Sequence, residues 1–303
     1  MAPLFSPVRL GNLRLLNRVA LEALPSGLAL PDGALSSQAG VYYTQRARGG
    51  AGLIVFEATY VLPPRDGLSA HLGLYSDAQL FALAGCIRNL HAHGAGALVM
   101  LDQPLWLAHS GEAELLAIGA AFVGAAQRAR MAGADGVMFS AADGGPFEQL
   151  LSPLQNQRSD RYGGDVVGRL RLLVDVAETL ARRYGTGFVI GARLNVEEFA
   201  PGGLDLREAR VIATLLAAAG VNLIEINAKA PPSALVAQFP GWQVPLAAGI
   251  KSIVDVPVLV GGLLDDPALA NSVIEERSAD LIALGERLKR DPGWPRMAQA
   301  QLE

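Results

Sequence analysis

Eight short, nearly uninterrupted apolar runs punctuate this chain, and longer stretches with helical spacing lie between them. The runs are RVALEA (18–23), GLIVFEA (52–58), GALVMLD (96–102), GVMFSA (136–141), FVIGARL (188–194), NLIEIN (222–227), VPVLVGG (256–262) and DLIALG (280–285). Continuous hydrophobicity of this kind belongs to parallel strands that are buried on both faces. The segments 78–92, 112–132, 167–184, 206–219, 244–253 and 267–276 carry apolar residues three and four apart, which is one face of a helix. The tripeptides AGA and AAG before the fourth and sixth runs read as helix ends that feed a strand. Eight strand–helix units in 303 residues predict one (β/α)8 TIM barrel over residues 1–303. An open doubly wound sheet is the competitor, and it carries a GxGxxG turn after its first strand. Here LPSGLALPDG follows the first run instead.

Composition narrows the partners. A chain that is 51% hydrophobic with a net charge of −4 has ample material for a core and no basic excess to suggest a nucleic-acid partner. The lone Cys86 excludes an internal disulfide framework and suits a reducing cytoplasm. The N-terminal MAPLFSPVRLGN lacks the apolar core of a signal peptide, and no long apolar run predicts a membrane partner. A small-molecule substrate is therefore expected, with a homo-oligomer left open.

Barrels of this type place their reactive groups at the C-terminal ends of the strands. Those ends offer Glu22, Thr59, Tyr60, Met100, Asp102, Ser140, Asp143, Arg193, Asn195, Asn227, Lys229, Gly261, Gly262, Glu286 and Arg287. No His or Cys spacing suits a metal, so no metal site is expected. No GxSxG nucleophile turn occurs either. His71, His91, His93 and His109 read as surface or helix residues rather than bases.

Several longer motifs carry a family resemblance. They are LFSPVRLGNLRLLNRV, YYTQRARGGAGLIVFEAT, AGADGV with LLSPLQNQRSDRYGG, VPVLVGGLLDDP, and ADLIALGERLKRDPGWP. Through them the chain resembles the Old Yellow Enzyme family, the NADH:flavin oxidoreductases, almost from end to end. The resemblance implies a (β/α)8 barrel that holds FMN at the strand C-termini, with a nicotinamide reducing the flavin and the flavin reducing an enone. It also exposes departures. Ser140 and Asp143 stand where the family grips a substrate carbonyl, and Gly145 stands where many members carry a Tyr. Met100, Pro25, Tyr60 and Glu286 align with flavin-contacting positions, and the segment after the third strand is short. Arg193 and the Gly261–Gly262 turn are retained.

These departures lead to the expectation that the chain holds no cofactor. It would then act as a redox-neutral isomerase, cyclase or lyase on an apolar carbonyl compound. Glu22 and Asp143 would move protons and Arg193 would hold an oxygen, with Tyr60, Met100, Asp102, Ser140, Asn227 and Lys229 lining the pocket. Plainer readings stand beside these. Glu22 pairs with Arg193, Asp143 caps the next helix, Asp102 lies in a loop, Tyr60 fills volume, and Lys229 is solvated. One alternative is an FMN-dependent NAD(P)H oxidoreductase whose flavin is held by Arg193, Gly261, Gly262 and Arg287. Another is a non-catalytic binding protein.

Overall fold

The computed structural model describes residues 2–64, 71–104, 107, 110–231 and 235–303. The eight apolar runs form β1 (Val19–Leu21), β2 (Leu53–Tyr60), β3 (Gly96–Asp102), β4 (Gly136–Ala141), β5 (Val189–Asn195), β6 (Leu223–Asn227), β7 (Val258–Val260) and β8 (Leu281–Leu284). Each pairs in parallel with the next, and β8 pairs with β1, so the sheet closes into an eight-stranded barrel. The β2–β3 ladder slips between Phe56 and Thr59. That bulge bends the strand just before its functional end.

The helices are α1 (Ser37–Arg48), α2 (Leu80–Ala92), α3 (Glu112–Met131), α4 (Pro146–Leu151), α5 (Val166–Tyr184), α6 (Leu206–Ala218), α7 (Val244–Lys251), α8 (Pro267–Glu275), α9 (Glu286–Arg290) and α10 (Trp294–Leu302). Side-chain caps start several of them. Ser36 accepts from Ala39 N–H, Asp165 from Gly168 N–H, Asp205 from Glu208 N–H and Asp266 from Leu269 N–H. Each bond satisfies a first-turn donor that the helix itself cannot pair.

Two cores result from the alternation along each strand. Val19, Leu21, Ile54, Phe56, Val99, Leu101, Val137, Phe139, Ile190 and Ala192 face outward and pack under the helices. Ala20, Leu53, Val55, Leu98, Met100, Met138, Val189, Leu223, Leu259, Leu281 and Ala283 face inward and fill the barrel. An antiparallel hairpin, Val8–Leu10 with Leu13–Leu15, adds Leu10 and Leu15 to this inner cluster. Leu15 lies against Gly96, the first residue of β3, so the hairpin closes the N-terminal end of the barrel. The opposite end is left for chemistry.

Candidate active site

Continuing the inward alternation past the apolar layer brings Glu22, Asp102, Ser140, Arg193 and Glu225 to the C-terminal mouth. Arg193 is the centre of the group and is buried. Its neighbours in the ladder are Ser140 on β4 and Glu225 on β6. Its Nη2 donates to Glu225 Oε1 at 2.8 Å and reaches Glu22 Oε1 at 3.5 Å, while Nη1 reaches Asp143 Oδ2 at 3.5 Å. Ser140 Oγ donates to the same Asp143 oxygen at 2.6 Å. Burial works against the Arg193 charge, but Glu225 and Glu22 outweigh it and hold the guanidinium above its ordinary range.

Two carboxyls here are displaced toward neutrality. Burial is the largest cause for Glu22, Arg193 opposes it, and Glu225, Asp143 and Glu286 reinforce it, leaving the group at about 7. Burial also dominates at Asp102, opposed by the Gln103 N–H and reinforced by Asp143 and Glu148, again to about 7. Both groups can therefore exchange a proton near neutral pH. Gly285 makes room for one of them, since a Cβ there would fall 2.6 Å from Glu22 Oε2.

The remaining rim is built from polar pairs. Lys229 Nζ donates to Glu148 Oε1 at 2.6 Å, and the other oxygen of Glu148 accepts from Gly144 N–H. Asn227 Nδ2 donates to Asn195 Oδ1 at 2.6 Å. The Tyr60 and His71 rings stack with centroids 4.8 Å apart. Glu57, in the β2 bulge, accepts from Ser26 N–H, Ser26 Oγ and Tyr43 Oη. This anchors the loop after β1 to the strand beside it.

The structure thus brings Glu22, Asp143 and Arg193 together, with Ser140 and Asp102 on the adjoining strands. It corrects several expectations. Met100 is not a pocket wall, because its side chain is 1% exposed inside the barrel. Asp143 does not cap α4, whose N-cap is Gly145 and which has no side-chain cap bond; it bonds Ser140 and Arg193 instead. Asp102 is the buried last residue of β3 rather than a loop residue. Lys229 is not free in solvent but paired with a buried acid. His91 pairs with Asp135 at the surface, and His109 lies outside the described residues. Glu225, Glu148 and Glu57 were missed. Glu225 and Glu57 are lone acids inside apolar strands, and that was the available signal.

A closed parallel barrel with an ionisable layer at its strand ends defines the class. Within it, the chain belongs to the NADH:flavin oxidoreductase / NADH oxidase family, whose sequence model matches residues 3–113 and 107–303. The two matched stretches meet just beyond β3, where a short segment was expected. The chain is 32% identical to an NADH oxidase of Thermoanaerobacter brockii over 98% of its own length and 50% of the relative's. It is 30% identical to an NADPH dehydrogenase of Listeria monocytogenes over its whole length and 96% of the relative's. The chain thus spans about half the length of the NADH oxidase and nearly all of the dehydrogenase. Among solved structures, a 2-naphthoyl-CoA reductase superposes with a TM-score of 0.90 at 21% identity, covering 99% of this chain and 52% of that one. Morphinone reductase superposes with a TM-score of 0.85 at 24% identity, covering 99% and 90%. At these identities the superpositions speak for the fold alone.

Membership overturns the expectation of a chain without a cofactor, because the family is one of NADH:flavin oxidoreductases. It also removes the ground for a cofactor-free isomerase or cyclase, which none of these comparisons supports. Part of the error is physical. The Glu286 carboxylate was counted against a flavin because it aligns with a flavin-contacting position. It is exposed and lies 3.6 Å from Lys289 Nζ, so water and a cation both screen it. Other features fit a flavin mononucleotide. Arg287 Nε is buried without a hydrogen-bond partner among the described residues, while its Nη2 holds Asp291. The Gly261 and Gly262 N–H groups also make no bond among the described residues. The turn they form is fixed by Gly241 N–H donating to Gly262 O at 2.7 Å, with Gly262 at φ +95°. Unpaired N–H donors that follow two paired strands, β7 and β8, suit a phosphate.

Proposed function

We propose that this chain is an FMN-dependent NAD(P)H oxidoreductase whose strand-end residues differ from the usual family set. The observation that carries the reading is the family match over almost the whole chain, together with unpaired donors at the ends of β7 and β8. The chemistry that FMN supplies when bound is hydride transfer between NAD(P)H and an organic acceptor. The printed names of the relatives, NADH oxidase and NADPH dehydrogenase, favour a nicotinamide donor.

The chain's own residues would divide the work. Gly261, Gly262 and Arg287 would hold the phosphate. Arg193 would present a fixed positive charge to an electron-rich edge, and a preorganised donor in a buried site is worth a few kcal/mol when charge develops there. Its three carboxylate partners keep it oriented. Glu22, 28% exposed on its side chain, could hold or release a proton at Oε2 without leaving Arg193. The Tyr60–His71 stack would form one wall.

The test is anaerobic addition of NADPH to the FMN-loaded protein. Bleaching of the yellow absorbance, followed by its return on adding an α,β-unsaturated ketone, is the expected result. A loaded protein that neither NADH nor NADPH reduces would overturn the reading.

A further inference from the structure

The carboxyl of Asp102 occupies the space where a side chain at position 145 would begin. A Cβ built on Gly145 would fall 1.9 Å from Asp102 Oδ1 and 3.3 Å from Oδ2. Gly145 is thus required by the acid that leans over it from β3. Asp102 is 6% exposed, and its Oδ1 accepts from Gln103 N–H at 2.7 Å. Its Oδ2 has no hydrogen bond among the described residues. Asp143 differs, because its side chain is 43% exposed and its Oδ2 is shared between Ser140 and Arg193. Glu22 lies on the β1 side of Arg193 and contacts that guanidinium directly.

We propose that Asp102 is the proton donor of the strand-end site, delivering the proton on Oδ2 to the substrate. The proposal rests on the reductase reading above. In the reduction of an electron-poor C=C bond, bound FMN would supply the hydride for one C–H bond, and the chain would have to supply the proton for the other. The π electron pair then forms the second C–H bond with the Asp102 proton. The carboxylate left behind regains its proton from water at the mouth. The groups facing Asp102 suit this role. Asp143 and Glu148 disfavour its ionised form, Arg193 and the Gln103 N–H favour it, and burial sets the balance near neutrality. Lys229 is engaged with Glu148 and so does not supply a competing cation to Asp102.

The experiment separates the two half-reactions of the FMN-loaded protein, with NADPH as donor and 2-cyclohexenone as acceptor probe. Asp102→Asn keeps an oxygen for Gln103 N–H, so it preserves the local bond. It should leave reduction by NADPH unchanged and slow reoxidation by the enone about 10²–10³-fold, with loss of the pH dependence near neutrality. Gly145→Ala, whose Cβ evicts the carboxyl, should show the same selective loss. The double variant should be no slower than either single one. Glu22→Gln should keep the fall in reoxidation rate as pH rises past about 7. Infrared titration of the flavin-free protein gives a readout independent of turnover: a protonated-carboxyl band lost as pH passes about 7 should weaken in Asp102→Asn. Normal reduction with unchanged reoxidation in Asp102→Asn, or loss of the alkaline decline in Glu22→Gln in place of Asp102→Asn, would overturn the proton-donor role alone. Failure of NADPH to reduce the loaded protein would overturn the reductase reading and this role with it.

Discussion

Arg193 shows how one buried cation can organise a site. It is 5% exposed, and Glu225 beside it is 2% exposed with its Oε2 unpaired among the described residues. Removing one partner of such a pair strands the other, at a cost of about 3–5 kcal/mol. Arg193→Ala should therefore lower unfolding stability by about that much, whereas Arg193→Leu with Glu225→Leu should recover most of it; urea denaturation of the three proteins checks this. The pH dependence of stability is a second prediction. Glu22 and Asp102 sit at about 7 in the fold against ordinary values of 4.5 and 3.8. The folded state therefore binds protons more tightly, and the stability they confer is present at low pH and lost as pH rises through about 7. Urea midpoints of the wild type should fall over that window, and Glu22→Gln should flatten the fall by an amount on the order of 2–4 kcal/mol. Arg193 and Glu22 could be read from the sequence because they stand at the ends of apolar runs. Glu225 stood in view inside NLIEIN, but the register that sets it opposite Arg193 depends on how two strands align across a closed sheet. No local pattern encodes that alignment.

At the scale of elements, β3 and β4 have the residues expected of them, and the others differ by trimmed or extended ends. Strand β7 is only Val258–Val260, because the glycines that follow turn out of the ladder. Helix α1 escaped the pattern because SQAGVYYTQRAR has few apolar residues. It is held by Ala39, Tyr43 and Ala47, and by a buried Arg46 that donates to Tyr42 O and Lys289 O. The hairpin at the bottom escaped because its strands have only three residues each. Leu15→Ala should cost about 2–5 kcal/mol by opening that plug, read as a lowered denaturation midpoint. The polar loop SPLQNQRSDRYGG proves to be a staple. Asn156 Nδ2 donates to Leu150 O and Tyr162 O at 2.7 Å each, and Arg158 Nη1 donates to Ser110 O at 2.6 Å. Buried Arg169 ties α5 to Leu151 O and Gly164 O. Asn156→Ala should cost about 1–3 kcal/mol by leaving those carbonyls unpaired, with no comparable loss for Gln157→Ala, whose Nε2 makes one exposed bond at 3.2 Å.

For the whole molecule, the fold was legible because eightfold alternation is a global signal that survives local error. Among the described residues no helix is long and apolar enough to cross a membrane. The cofactor was misread because a list of substituted positions does not say where the new side chains go. Met100 turns out to lie inside the barrel, and Glu286 lies beside Lys289 in solvent. Neither tests the phosphate end, where Arg287 Nε and the Gly261–Gly262 N–H groups stand without partners among the described residues. Through those groups the barrel would hold FMN. Titration of the flavin-free protein with FMN, followed by quenching of flavin fluorescence, tests it most directly. One-to-one binding at micromolar or tighter affinity is expected, weakened at least about tenfold in Arg287→Ala through loss of a charge-assisted bond. A wild-type protein that takes up no FMN at micromolar concentrations would contradict it.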